Sequence, residues 1–104
     1  MEELMDDIIK FQKERDWKKF HTPENLAKSI SIESGELLEH FQWGKDWDVC
    51  EVSDELADVL IYSFYMADAL DLDIKEIIRN KMEKNAIKYP VDKSKGNSKK
   101  YTEF

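Results

Sequence analysis

The chain has 104 residues, enough for one hydrophobic core but not for two. Hydrophobic residues make up 41% and charged residues 38%, with only three glycines and two prolines, which is typical of a helical protein and argues against an all-β fold. The net charge of −7 excludes a nucleic acid polymer as an expected partner, and no apolar run approaches the roughly 20 residues that a membrane span needs.

Hydrophobic periodicity predicts four helices, and they span residues 2–19, 23–41, 48–70 and 74–88. Thr22 before Pro23 is a typical N-cap for the second helix, and Asp73 can cap the fourth. The second half of the third helix, residues 59–69, is apolar on most sides, which predicts that it is the central helix. Gly35 costs about 1 kcal/mol relative to alanine within a helix, so we expect another group to approach it closely.

The short connections between these helices predict a single domain over residues 1–104, an antiparallel four-helix bundle over 2–88 with a basic C-terminal tail over 89–104. A small bundle with this much apolar surface on its third helix is expected to associate as a dimer or a dimer of dimers. The single Cys50 cannot form an internal disulfide, and the acidic N-terminus, MEELMDD, is unlike a signal peptide. Both features predict a cytoplasmic protein.

Two pairs of carboxylates occur at the same spacing on two helices. Glu33 and Glu36 are three residues apart and therefore neighbours on one helix face, and Glu55 and Asp58 repeat the spacing on the next helix. Asp58 lies within an apolar run, where an unpaired carboxylate would be costly to bury, and we expect it to be a buried ligand. Two acidic pairs that share an apolar face repel each other unless a cation lies between them, and all-oxygen ligands suit Mg²⁺ or Mn²⁺. The alternative is a solvated acidic face.

The wider sequence carries a family resemblance. ExxE on one helix followed by ExxD on the next resembles the all-α nucleoside triphosphate pyrophosphohydrolases, the MazG-like group. The flanking segments FHTPENL, FQW and DVLIY, together with the ending KYP and KYT, narrow the resemblance to the dCTP pyrophosphatase branch. It extends from about residue 11 to residue 104.

This resemblance implies hydrolysis of a nucleoside or deoxynucleoside triphosphate, such as dCTP or a modified dCTP, to the monophosphate and pyrophosphate, as house-cleaning of the nucleotide pool. Glu33, Glu36, Glu55 and Asp58 would hold one or more Mg²⁺ ions, with Mn²⁺ as a substitute. The metal would neutralise charge on the leaving pyrophosphate and lower the pKa of the attacking water. Glu33 or Glu36 would accept the proton of that water.

The resemblance also implies residues for the substrate. Trp17 and Trp43 match aromatic positions that line the base pocket of the branch, where stacking contributes about 1–3 kcal/mol per base. Tyr62, one turn beyond Asp58, would contact the substrate. The basic tail would fold back over the site. On the fourth helix an apolar face continues into polar side chains that would hold the phosphates, namely Lys81, Asn85 and Lys88.

Some features leave the substrate and even the function class open. Ile8 stands where some members of the branch carry a histidine near the base pocket, so a strict preference for cytosine is not implied. His21, next to a turn, is expected to be a local hydrogen-bonding residue. A non-catalytic dimeric helical module whose acidic face binds a basic partner is one alternative. A carboxylate-bridged di-iron bundle is another, but it uses Glu-x-x-His pairs, which neither His21 nor His40 completes.

Overall fold

The computed structural model describes residues 2–44 and 46–96, and within these ranges every regular element is a helix. The α-helices are α1 (Glu2–Glu14), α2 (Pro23–Glu39), α3 (Val49–Ala69), α4 (Ile74–Lys88) and α5 (Val91–Ser94). A 3-10 turn, Lys18–Phe20, precedes α2. The predicted all-α class is therefore confirmed. The predicted bounds of the fourth helix are the observed ones, whereas the short α5 was not predicted.

Side-chain caps begin three of these helices. At α2, Thr22 Oγ1 accepts a hydrogen bond from the backbone N–H of Asn25 at 3.2 Å. At α4, Asp73 Oδ1 accepts from the N–H of Glu76 at 3.0 Å, and Asp48 caps α3 in a similar way. Each cap satisfies a backbone donor that the start of a helix leaves without an intrahelical partner. The predicted caps of the second and fourth helices are confirmed.

The first helix ends earlier than predicted because an aspartate adopts the left-handed conformation. Asp16 has φ 53°, its N–H donates to the carbonyl of Lys13 at 3.0 Å, and the N–H of Trp17 donates to the carbonyl of Gln12 at 3.1 Å. These two bonds form the Schellman motif, which usually contains glycine at the left-handed position. Asp71, with φ 55°, follows α3 in the same conformation. The prediction of a helix to residue 19 was wrong because aspartate replaces the glycine that signals such an end.

The helices α1, α2 and α3 belong to one compact unit that ends at Leu72, and α3 packs against both of the others. His40 Nδ1, at the end of α2, lies 3.8 Å from Glu51 Oε2 near the start of α3, while Glu33 lies beside Asp58 one to two turns farther along. The two helices are therefore antiparallel. Among the described residues, the buried apolar side chains are Leu26, Phe64, Tyr65 and Ala67. Three of these four come from the second half of α3, which confirms it as the central helix of this unit.

The remaining described elements, α4 and α5, belong to a second compact unit that begins at Asp73. Every residue of α4 after Ile74 is exposed. Among the residues that the structure describes, no helix combines the length and the apolar character required to cross a membrane.

Gly35 lies inside α2, and a Cβ atom added there would meet no other heavy atom within 4 Å. The expectation that another group approaches Gly35 closely is therefore wrong for the described chain. The surrounding space is open, so the glycine weakens the helix without a packing contact in return.

Candidate active site

The antiparallel packing of α2 and α3 brings three carboxylates together. One carboxylate oxygen from each of Glu33, Glu55 and Asp58 lies within 4.8 Å of the other two. Glu33 projects from α2, and the other two project from one face of α3 because they are three residues apart. We call these three residues the acidic cluster. Like charges at this separation repel strongly unless a cation or a shared proton lies between them.

The burial of the acidic cluster differs from the sequence prediction at Asp58. Glu33 and Glu55 are half-buried, but Asp58 is exposed. The expectation of a buried Asp58 was therefore wrong. Successive residues of a helix point about 100° apart, so the apolar neighbours of Asp58 in sequence do not share its face. Its carboxylate completes the acidic cluster from the solvent side.

The half-buried carboxylates of the acidic cluster carry unsatisfied oxygens. Glu33 Oε2 and Glu55 Oε2 are buried, and neither has a hydrogen-bond partner among the described residues. The pKa of Glu33 is raised to about 7, chiefly by burial, then by a hydrogen bond with Glu36 and by the charges of Glu36, Asp58 and Glu55. In the metal-free chain, Glu33 is therefore partly protonated near neutral pH. A buried oxygen without a hydrogen-bond partner is unfavourable. A divalent cation would coordinate both buried oxygens, Glu33 Oε2 and Glu55 Oε2.

Tyr62 lies next to the acidic cluster, one turn beyond Asp58. Burial raises the pKa of its phenol, and the charges of Glu33, Asp58 and Glu36 raise it further. The ring centroid of Tyr62 is 6.4 Å from that of His21. Tyr62 therefore connects the carboxylates to the aromatic side chains at the end of α1.

The two predicted base-binding tryptophans occupy different surroundings. The ring of Trp17 contacts Phe11 at a centroid distance of 5.8 Å and His21 at 6.4 Å, both edge-on. Trp43, in the turn after α2, is 87% exposed. Within the described part of the chain, no ring contact joins Trp43 to Trp17. Trp47 packs its ring against Phe41 at a centroid distance of 5.2 Å.

The predicted phosphate-binding residues follow one face of α4, at spacings of four and three residues, and all are exposed; they are Lys81, Asn85 and Lys88. They belong to the second compact unit, whereas the acidic cluster belongs to the first. The expected closure of the C-terminal tail depends on residues 97–104, which lie outside the described residues.

Two polar residues near these sites, His40 and Gln12, were not predicted as contacts from the sequence. His40 Nε2 lies 3.8 Å from Glu55 Oε1 at the edge of the acidic cluster. Gln12 is buried and forms hydrogen bonds with His21 and Asp68, which connect α1, the turn before α2 and α3. The signal for Gln12 was available, because it lies one turn after Ile8 on the apolar side of the first helix. No pattern in the sequence pairs it with Asp68, which is 56 residues away.

Known proteins resemble this chain in sequence and structure. The sequence model of the MazG-like family matches residues 28–104, which contain both acidic pairs. The dCTP pyrophosphatase 1 of Mus musculus is 39% identical over 104 aligned residues, which cover 90% of this chain and 61% of that protein. The Homo sapiens protein of the same name is 38% identical, with the same coverage. The chain thus spans about three fifths of the length of these curated relatives.

A solved crystal structure also resembles this chain. The crystal structure of a pyrophosphatase from Archaeoglobus fulgidus superposes with a TM-score of 0.79 at 47% sequence identity. The superposition covers 86% of this chain and 92% of the Archaeoglobus chain. This likeness confirms the predicted MazG-like, all-α fold.

Proposed function

This chain belongs to the MazG-like family, and we propose that it hydrolyses a nucleoside triphosphate to the monophosphate and pyrophosphate. The observation that carries this proposal is the acidic cluster, whose three carboxylate oxygens lie within 4.8 Å of one another. The relatives' names add support, since the mouse and human proteins are called dCTP pyrophosphatases and the Archaeoglobus protein a pyrophosphatase. We propose that the substrate is dCTP or a dCTP with a modified base. Its hydrolysis would remove it from the nucleotide pool as a house-cleaning reaction.

A divalent cation fits the acidic cluster. The donors are all carboxylate oxygens, which Mg²⁺ prefers and Mn²⁺ also accepts. Glu33, Glu55 and Asp58 would hold the ion, with Glu36 beside them, and the unpartnered oxygens of Glu33 and Glu55 support this assignment. When bound, Mg²⁺ lowers the pKa of a water ligand and neutralises charge on the leaving pyrophosphate.

Glu33 and Glu36 would handle the proton of the attacking water. The pKa of Glu33 is raised to about 7 in the metal-free chain, and Glu36 is one of the neighbours that raise it. A carboxyl group with a pKa near neutral pH, as Glu33 has, suits general base catalysis. One of the two would accept the proton as the water oxygen attacks the α-phosphorus. The bond from that phosphorus to the oxygen bridging the α- and β-phosphates then breaks, and pyrophosphate leaves with that bond's electron pair.

Substrate binding would use both ends of the nucleotide. Trp17 and Trp43 would hold the base, and Tyr62 would contact the substrate. The aromatic contacts of Trp17 and the proximity of Tyr62 to the acidic cluster support these roles. Stacking tolerates any base, so hydrogen bonds must provide the preference among bases. Cationic and amide donors on α4 would hold the phosphates, namely Lys81, Asn85 and Lys88.

We also propose that the chain associates with copies of itself as a dimer or tetramer. Large apolar side chains are exposed on neighbouring helices of the first unit: Ile32 is 61%, Leu38 69% and Val49 65% exposed. Large exposed apolar side chains on neighbouring helices are typical of a surface that binds another protein chain. Light scattering after size exclusion would give the mass in solution, and a monomer at micromolar concentration would contradict this proposal.

The activity is tested with a panel of dNTPs and NTPs in the presence of Mg²⁺, scored for pyrophosphate. We expect release from at least one triphosphate, its loss with a chelator, and a loss of at least about 100-fold in Glu55→Gln. Glu51→Gln is the matched control, because Glu51 lies one turn earlier on α3 and its side chain is 69% exposed. Release that survives both the chelator and Glu55→Gln would contradict the proposal, as would no release from any triphosphate.

A further inference from the structure

A polar network lies between α1, the 3-10 turn and α3. Gln12 is only 1% exposed, and its Nε2 donates a hydrogen bond to Asp68 Oδ2 at 3.3 Å. The Oε1 atom of Gln12 is hydrogen-bonded to His21 Nδ1. Lys18 Nζ lies 3.6 Å from Asp68 Oδ2, at the far end of the network. The network therefore runs from Lys18 through Asp68 and Gln12 to His21.

The chemistry of these groups fixes the position of one proton. A carboxylate can only accept hydrogen bonds, so the amide nitrogen of Gln12 must face Asp68, and its oxygen must face His21. An amide oxygen also only accepts, so His21 Nδ1 must carry the hydrogen. Burial lowers the pKa of His21, which favours the neutral ring at neutral pH. In the neutral ring with a proton on Nδ1, the other nitrogen, Nε2, is a hydrogen-bond acceptor.

The His21 ring lies among aromatic residues that include Trp17, assigned to the base, and Tyr62, assigned to substrate contact. It stacks on Tyr65 at a centroid distance of 4.6 Å and an interplanar angle of 29°. Trp17 and Tyr62 each lie 6.4 Å away, edge-on. Among the described residues, none donates a hydrogen bond to Nε2 of His21. An acceptor without a partner in an aromatic site is suited to select a ligand by its donors.

We propose that Gln12 and Asp68 fix His21 with its proton on Nδ1, so that Nε2 accepts a hydrogen bond from the exocyclic amino group of a nucleobase. The inference rests on the proposed function, since it takes the aromatic site as the base site. Cytosine carries an amino donor at the position where uracil carries a carbonyl acceptor. A fixed acceptor on His21 therefore favours cytosine and opposes uracil. Gln12 is a positioning residue, since it acts through His21.

The proton position is tested directly by nitrogen-15 NMR of the full chain. The sequence holds two histidines, so a His40→Asn variant assigns the His21 signals. We expect a protonated Nδ1 and an unprotonated Nε2 at neutral pH. Gln12→Glu replaces the amide donor with a carboxylate, and we expect it to protonate both nitrogens. A wild-type spectrum with the proton on Nε2 would overturn the inference.

Base selection provides the functional readout and does not require Gln12→Glu to fold. We expect wild-type kcat/KM for dCTP to exceed that for dUTP by about tenfold or more. His21→Phe keeps a ring against Tyr65 but removes the acceptor, so the ratio should fall toward one. His21→Gln keeps an amide oxygen as acceptor and should retain part of the preference. Lys19→Met, in the same turn, should keep the wild-type ratio, since Lys19 Nζ pairs with Asp16 and lies over the Phe20 ring, outside the polar network.

The outcomes separate this inference from the proposed function. Equal kcat/KM for dCTP and dUTP would leave the hydrolase standing and overturn the role of His21. An unchanged ratio in His21→Phe, with both substrates equally slowed, would also overturn it, because that is the signature of a purely structural residue. Binding of dCMP and dUMP by calorimetry needs no hydrolysis. The wild type could hydrolyse no triphosphate and still bind dCMP more tightly than dUMP. If His21→Phe then abolished this difference in affinity, the inference about His21 would hold and the proposed hydrolysis would fail.

Discussion

Replacing Glu33 with glutamine should stabilise the metal-free protein at pH 8 and have a much smaller effect at pH 5. The pKa of Glu33 is raised to about 7, first by burial and then by its carboxyl neighbours. A folded-state pKa above the unfolded value means that the protonated carboxyl stabilises the fold. That stability is fully present below the unfolded pKa and is lost as pH rises through the folded one. Glutamine resembles the protonated form at every pH, so Glu33→Gln should not show the loss.

The magnitude follows from the two pKa values. A carboxyl with a pKa of 4.5 in the unfolded chain and about 7 in the folded chain loses up to about 3 kcal/mol of stability across that interval. Glu33 is only half-buried, and solvent screening reduces the loss to about 1–2 kcal/mol. For a domain of this size, that corresponds to about 5–15 °C in Tm.

The assay is thermal unfolding by circular dichroism at pH 5 and pH 8 with a chelator present. The wild type should lose more stability than Glu33→Gln between the two pH values, while the exposed control Glu51→Gln should behave as the wild type. Added Mg²⁺ should stabilise the wild type and stabilise Glu33→Gln less, by mass action on the folded state. Equal pH dependence in the wild type and Glu33→Gln would refute the reasoning about charge in the acidic cluster.

Three further substitutions test the fold and the base site. Gly35→Ala should raise the free energy of unfolding by about 1 kcal/mol in urea titrations, since the added Cβ has open space; a destabilised variant would reveal a contact with another copy. Leu26→Ala, at a fully buried position, should lose about 2–5 kcal/mol of stability in the same titrations, and a loss below about 1 kcal/mol would contradict the described core. Trp43→Ala should raise KM by about 10- to 100-fold with a smaller effect on kcat, and an unchanged KM would remove Trp43 from the base site, with Trp47→Ala as control.

Most helices could be predicted from the sequence because their local signals agree with the packing. Thr22 and Asp73 cap the helices they were predicted to cap. The apolar second half of the third helix forms most of the buried core. The first helix was predicted too long because Asp16 adopts the left-handed conformation, for which glycine is the usual signal. The end of the first helix was therefore marked by an aspartate, which is less common than glycine at this left-handed position.

The candidate site was only partly predictable. Spacing in sequence places Glu55 and Asp58 on one helix face, and the packing of α2 against α3 brings Glu33 to them. Apolar neighbours in sequence suggested a buried Asp58, but burial depends on which helix face meets another helix, and Asp58 is exposed. The contacts of Gln12 with Asp68 and His21 depend on tertiary packing alone. No local pattern contains that information.

The central claim is that the acidic cluster binds a divalent cation, and binding of Mn²⁺ to chelator-treated protein, followed by electron paramagnetic resonance, tests it most directly. Asp58 is exposed, so Asp58→Asn removes one ligand charge without opening the core. Asp54→Asn, one turn earlier on α3 and also exposed, is the matched control. We predict that the wild type and Asp54→Asn bind at least one Mn²⁺ with equal affinity, and that Asp58→Asn binds it about tenfold or more weakly. Equal binding by all three proteins, or no binding by the wild type, would contradict the claim.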